Sequence, residues 1–290
     1  MDYEGLIIRP PSEAYSLLLQ VTTGCSHNKC TFCGTYRQKK LKIKPLEQIK
    51  KDLREASSYD DVDKVFLCDG DALIIPQPRL EEILKLINDN LPNINRIGTY
   101  ANAKSILRKS VDELKTLRSL GLKIIYLGVE TGNVELLKKI NKGVTYEQMV
   151  TAARRVKEAG IILSVTVILG LGGIEKSIEH ARDTAKILTD IDPDFASALT
   201  LMFVPETELY EDYLAGRFVL PDKFGFIREL YLMIAESNFT NCYFTSNHAS
   251  NYLSVKAYLP REKEKILEMI SSVIKEEDLS RIRPEYLRGL

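Results

Sequence analysis

Three thiols, Cys25, Cys30 and Cys33, fall within nine residues of the stretch GCSHNKCTFCGTY, residues 24 to 36. They follow directly on an apolar run, Leu17 to Val21, that reads as a buried strand. Thiols this close together can share one soft-ligand metal centre. A structural zinc closes its tetrahedron with four protein ligands, and His27 would then have to be the fourth. A [4Fe–4S] cluster can take three thiolates and leave one iron open, where a small molecule can bind and react. On the cysteines alone both remain open.

The elements around them must carry these side chains to one place. The cysteine loop leaves the C-terminal end of an expected first strand, Tyr15 to Thr22. Asp69, Gly70 and Asp71 follow a strand over 64–68, Glu130 follows one over 123–129, and Gly170 and Leu171 follow a β-rich run, Ile162 to Leu169. Further strands are expected from Arg96 to Ala101 and from Phe195 to Phe203. Between them a helix opens at Pro45 and runs to about Ser58, and Leu80, Ile83, Leu84 and Ile87 recur at helical spacing. Ser110 with Glu113, and Thr145 with Gln148, cap two more helices, which Gly121 and Gly160 end. A last crossover helix spans Lys176 to Ile191. Such alternation favours a parallel sheet in which the loops after the strands build the active face. The fold class expected is α/β, a partial (β/α)6 TIM-like barrel with a short C-terminal extension, although a doubly wound sheet shares the alternation. The expected division is a core over 13–235 and a cap or extension over 236–290, in which Glu262 to Ile274 reads as an amphipathic helix.

The 290 residues can bury one substantial core, and 40 basic residues balance 40 acidic ones. No overall field therefore draws the chain to nucleic acid or an anionic membrane. The start, MDYEGLIIRPPSEAY, carries acids and prolines where an export signal needs a basic start and an apolar core. No apolar run reaches membrane-spanning length. Five cysteines, three of them clustered, point to a reducing cytoplasm without disulfides, and Cys68 and Cys242 read as core thiols. Residues 37–44 read as a solvated basic connection or, alternatively, as a positive rim near an anionic substrate.

The cysteine run resembles the cluster loop of the radical S-adenosylmethionine (SAM) enzymes. Their usual spacing is Cys-x3-Cys-x2-Cys with an aromatic residue before the last cysteine; here the first gap holds four residues and Phe32 supplies the aromatic. Asp69-Gly70-Asp71 is similar to the family's Gly-Gly-Glu segment. GlyValGluThrGly, 128–132, resembles the Gly-x-Glu-Ser-Gly of methylthiotransferases and oxygen-independent coproporphyrinogen oxidases. IleAsnLysGly, 140–143, is similar to their Met-Asn-Arg-Gly, and GlyLeuGlyGly, 170–173, to their Gly-Leu-Pro-Gly. PheValProGluThrGluLeuTyr, 203–210, resembles a Pro-x-Thr-Pro-Leu-Tyr-type stretch of the oxidases. The resemblance covers Tyr15 to about Glu208 and implies the partial barrel with the cluster loop after its first strand.

It also implies a [4Fe–4S] cluster on Cys25, Cys30 and Cys33, with SAM held by Phe32, Asp69, Gly70, Asp71, Glu130, Gly170 and Leu171. The carboxylates after the second strand would accept from the SAM ammonium, Glu130 would meet its ribose or methionine end, and the glycine run would face the adenine. One-electron reduction of SAM would give methionine and a 5′-deoxyadenosyl radical that takes hydrogen from a substrate, with an electron donor such as flavodoxin or ferredoxin. Arg154, Arg155 and Lys142 are further candidates for SAM contact, none of them assigned. Plainer readings stand beside these: a solvated Asp-Gly-Asp turn, and Glu130 as a helix N-terminal partner. In the extension, SerAsnHisAlaSerAsn, 246–251, offers more hydrogen bonding than a cover needs, so Asn247 and His248 are expected on the substrate side; a loop that satisfies its own backbone is the alternative. No cobalamin domain, second cysteine cluster or basic RNA-binding addition is evident, which leaves an unidentified small-molecule substrate as the expectation. The alternatives are a radical SAM RNA-modifying enzyme and a zinc-stabilised non-catalytic binding protein on the same barrel.

Overall fold

The computed structural model, which describes residues 1–59 and 61–289, places the expected apolar runs in strands and the 3.6-residue stripes in helices. The chain divides into two units. One comprises Met1–Asn28, Thr35–Leu127 and Thr151–Leu163, and the other Lys29–Gly34, Gly128–Val150 and Ser164–Leu290.

The first unit is built on β1 (Leu17–Gln20), β2 (Thr22–Thr23), β3 (Lys42–Ile43), α1 (Leu46–Ala56), β4 (Lys64–Cys68), α2 (Gln77–Asn90), β5 (Arg96–Ala101), α3 (Ala103–Leu107), α4 (Val111–Ser119) and β6 (Leu122–Glu130) up to Leu127. β1, β4, β5 and β6 pair in parallel in that order. Val65 to Cys68 are buried on both faces of β4, as the unbroken apolar runs of parallel strands require. Ile49 and Leu53 on α1, and Leu80, Ile83, Leu84 and Ile87 on α2, form the buried stripes.

The first strand is shorter than expected. Tyr15 is 94% exposed, pairing with β4 ends at Gln20, and Thr22–Thr23 turn away to pair antiparallel with β3. That short ribbon closes the base of the loop carrying the thiols, and the Val21 N–H, 2.7 Å from the Cys68 carbonyl, keeps it fastened to β4. Most of residues 37–44 are exposed, as a solvated connection is, but Lys42–Ile43 form β3 and Lys44 is buried with its ammonium on the Asp2 carbonyl.

The second unit contains α5 (Val134–Lys139), part of α6 (Tyr146–Glu158), β7 (Ile162–Leu169) from Ser164, α7 (Ser177–Ile191), β8 (Phe195–Thr200), α8 (Glu208–Leu214), α9 (Lys223–Glu236), β9 (Cys242–Thr245), β10 (Lys256–Leu259) and α10 (Lys263–Glu276). β7, β8 and β9 run parallel and β10 returns antiparallel to β9. α7 and α9 pack along each other, with Ala181, Ala185 and Leu188 of α7 and Leu230, Met233 and Ile234 of α9 buried. The architecture is α/β with a mostly parallel eight-stranded sheet, the class of a partial TIM-like barrel. Among the described residues no disulfide forms, and no helix is long and apolar enough to cross a membrane.

Candidate cofactor site

In the first unit β1 and β4 end side by side, Gln20 opposite Cys68, and both lead into polar turns. Gly70 lies against Cys25. A Cβ built on Gly70 would stand 2.7 Å from the Tyr36 ring and 3.2 Å from Cβ of Cys25, so only bare backbone fits there. The neighbouring Asp69 is fully buried. Its Oδ2 accepts from Lys39 Nζ at 3.1 Å, the Gly24 N–H at 3.2 Å and Gln20 Nε2 at 3.3 Å, whereas Oδ1 has no partner. An unpaired acceptor in a buried carboxylate is costly, and Oδ1 is left unmatched by the chain's own donors.

Asp71, equally buried, is satisfied from within. Its Oδ1 accepts from the Asn102 N–H at 3.2 Å, and its Oδ2 from the Ser105 hydroxyl at 2.5 Å and the Ser26 hydroxyl. Burial nevertheless pushes its carboxyl above the ordinary value. Asp71 thus ties Ser26, next to Cys25, to the ends of β4 and β5.

In the second unit Cys30 and Cys33 close a tight turn, with the Cys33 N–H on the Cys30 carbonyl at 3.2 Å. Thr31 between them is held from two sides: its N–H meets the Ile140 carbonyl and its carbonyl meets the Leu209 N–H, each at 3.0 Å. Phe32 packs on the apolar cluster of Ile140, Leu171, Leu201, Leu209 and Phe218, so Phe32 and Leu171, both expected at the cofactor, share one wall. Glu130 adopts a φ of +66°, rare for a residue with a side chain. Its Oε1 is 2.7 Å from Lys142 Nζ, which pairs one candidate with another.

Gly170 turns sharply off β7 with a φ of +87°, and the Phe226 ring occupies the space a side chain would need. Its N–H donates to Glu229 Oε2 at 2.7 Å, and Glu229 Oε1 accepts from the Ser177 hydroxyl at 2.6 Å. Burial pushes Glu229 up to about 7 and depresses His180, fully buried beside it, to about 4. Neutral His180 donates from Nε2 to the Ile168 carbonyl at 3.0 Å, and its Nδ1 accepts from the Thr131 hydroxyl at 2.9 Å. Sequence reasoning missed Glu229 and His180. The available signal was Glu229 standing three residues after Phe226 and four before Met233, inside the apolar stripe of α9.

The loop after β9 is largely occupied with its own framework. Asn251 accepts from the Thr200 hydroxyl at 2.9 Å and donates to the Ala198 carbonyl at 2.8 Å. Arg283 Nη1 reaches the carbonyls of His248, Ala249 and Asn251 at 2.8, 2.9 and 2.7 Å. His248 is half-buried and uses Nδ1 on the Ser250 N–H at 3.1 Å, and Asn247 is exposed. Burial and then the Arg283 charge lower the His248 pKa, which favours the neutral ring. Arg155 is committed to the Leu107 and Lys109 carbonyls at 3.0 and 3.1 Å, and Arg154 is exposed on α6. Cys68 and Cys242 are core thiols.

Among the described residues no three thiol, imidazole or carboxylate side chains stand together as a ready metal site. The three loop cysteines are a donor set by residue type and spacing, suited to iron–sulfide or zinc. The unpaired Asp69 oxygen suits a donor such as an ammonium group, while the space beside Gly70 is filled by Tyr36 and Cys25. The Radical SAM superfamily profile matches residues 19–187. Curated relatives include the heme chaperone HemW of Bacillus subtilis (strain 168), 26% identical over 163 residues, 56% of this chain and 42% of that one. Another is the tRNA-2-methylthio-N(6)-dimethylallyladenosine synthase of Dehalococcoides mccartyi (strain CBDB1), 26% identical over 220 residues, 72% of this chain and 50% of that one. The chain spans half or less of the length of these relatives. Among solved structures the fold is similar to methylornithine synthase PylB, with a TM-score of 0.53 and 19% identity over 77% of this chain and 63% of that one. It is also similar to the radical SAM methyltransferase TsrM of Kitasatospora setae with cobalamin and a [4Fe–4S] cluster bound, with a TM-score of 0.54 and 18% identity over 67% of this chain and 38% of that one. The profile covers more than half of the chain, including the three thiols and the turns after β4, β6 and β7, and this chain belongs to the radical SAM superfamily, whose members use a [4Fe–4S] cluster and SAM.

Proposed function

We propose that the chain holds a [4Fe–4S] cluster on Cys25, Cys30 and Cys33, binds SAM at the strand ends beside it, and removes hydrogen from a small-molecule substrate. The observation that carries this reading is the unpaired, buried Oδ1 of Asp69, next to a glycine whose backbone lies against Cys25. When bound, the reduced cluster and SAM supply a one-electron cleavage that yields a hydrogen-abstracting radical.

The chain's own residues then have separable tasks. Asp69 accepts from the SAM ammonium, and Asp71 keeps the cysteine loop on the β4 end. Lys142, held by its ion pair with Glu130, donates from its ammonium to the SAM carboxylate while Glu130 faces the ribose or methionine end. The Gly170 turn offers backbone to the adenine, and the wall of Phe32 and Leu171 excludes water. His248 keeps Nε2 for a polar substrate, beside Asn247. In this scheme 13–235 form the catalytic core and 236–290 the substrate-side extension, in a cytoplasm where a flavodoxin or ferredoxin supplies the electron. A second reading, RNA modification, draws on the relative named as a tRNA methylthio synthase.

Anaerobic incubation of the reconstituted protein with SAM and a chemical reductant tests the proposal. The expected result is slow release of 5′-deoxyadenosine without substrate, reduced at least about tenfold in Asp69→Asn at equal iron content. Iron-loaded wild-type protein that releases none contradicts it.

A further inference from the structure

Two turns assigned to SAM, Glu130–Asn133 and Gly170–Gly173, are tied by buried side chains to the same pair of helices. From α7, His180 holds Thr131 at 2.9 Å and Thr184 Oγ1 accepts from the Gly132 N–H at 3.2 Å. Ser177 at the start of α7 and Gly170 just after β7 both donate to Glu229 of α9, at 2.6 and 2.7 Å. Glu229 is 1% exposed and His180 0%, and His180 Nε2 lies 3.9 Å from Glu229 Oε2. A carboxylate this buried is an expensive way to join a helix to a turn, because a serine or an asparagine could accept the same bonds without a charge. Its geometry is specific, though. One oxygen goes to the turn and the other to the helix that carries the groups holding the second turn.

We propose that Glu229 is a positioning residue for the cofactor, holding the Gly170 backbone at the adenine and fixing α7, through which His180 and Thr184 hold the Glu130–Asn133 turn. This rests on the reading that the Gly170 turn takes adenine. The ionised carboxylate accepts both bonds with charge assistance; the protonated form keeps one strong acceptor and must turn its O–H towards Ser177. The groups facing Glu229 are Ser177 and Gly170 as donors and neutral His180, and no cation among the described residues is paired with it. With its pKa raised to about 7 by burial, the carboxylate changes state near neutral pH. Turn position and pH are thereby linked.

The test uses reconstituted wild type, Glu229→Gln and Glu229→Leu with 5′-methylthioadenosine, an adenosine probe without the titrating amino-acid end of SAM. Binding is measured from pH 6 to pH 8.5, alongside amide exchange of the peptide containing Gly170. Wild type should bind several-fold more tightly at pH 8.5 than at pH 6. Glu229→Gln should bind with no pH dependence over that range. Glu229→Leu should lose at least about tenfold in affinity, and its Gly170 amide should exchange faster, because nothing accepts from it. Wild type that does not bind the probe removes the adenine reading and the positioning role with it. Wild type that binds with the same pH profile and affinity as both variants overturns the role of Glu229 alone, whatever the exchange data show.

Discussion

Asp69 and Asp71 stand two residues apart, both buried, and differ in whether their oxygens are satisfied. Asp71 accepts from Ser105, Ser26 and Asn102, so Asp71→Ala strands three donors and should lower stability by about 2–4 kcal/mol in urea denaturation. Asp69→Asn should cost less than that while weakening SAM binding at least about tenfold, since the amide cannot match a carboxylate beneath an ammonium. Equal effects of the two substitutions on SAM binding would show that one unpaired oxygen does not mark the ammonium site. Glu229 makes a prediction of opposite sign from the usual paired carboxylate. Its folded pKa, about 7, lies above the ordinary 4.5, so the native state keeps a proton that the unfolded state has lost across that interval. Stability therefore falls as pH rises through it, by about 3 kcal/mol in all. His180, depressed from 6.5 to about 4, opposes this as pH falls below 6.5. From pH 6.5 to 8 the Glu229 contribution is unopposed by His180, and wild type should lose about 1 kcal/mol relative to Glu229→Gln in parallel urea titrations. A constant difference between them over that range would mean that the carboxylate titrates elsewhere.

At the level of elements, local signals were legible and long-range ones were not. The Ser110–Glu113 and Thr145–Gln148 boxes were readable because both partners lie within four residues, and both form. The expected first strand failed at its end because Thr22–Thr23 find a partner twenty residues later, in Lys42–Ile43. β9 and β10 have four residues each, too few to establish a period, so the stretch after 236 showed only its amphipathic helix. Nor does anything near Ser246 announce Arg283, which crosses from the far end of that stretch to three loop carbonyls. Arg283→Ala should accelerate amide exchange over 246–253 and cost about 2 kcal/mol, with uncoupled SAM cleavage unchanged. His248→Ala should leave exchange elsewhere unaltered and act on substrate turnover. Loss of SAM cleavage in either variant would attach this loop to the cofactor site instead.

For the whole molecule, composition excluded little, and the decisive features were the spacing of three cysteines and the order of polar turns after successive strands. Those turns were locatable because each follows an apolar run; the unpaired oxygen of Asp69 was not, since its environment combines Gln20, Gly24 and Lys39 from distant parts of the sequence. A cluster bound to the native chain and not to the unfolded one must also stabilise it, so anaerobic removal of the metal should lower the melting temperature. The most direct test is the metal content of protein purified and reconstituted without oxygen. About four iron and four sulfide per chain are expected, with a cluster absorbance that is lost on replacing Cys25, Cys30 or Cys33 by alanine and kept on replacing Cys68 or Cys242. One tightly held zinc per chain with no iron, abolished by the same three substitutions, would contradict this expectation.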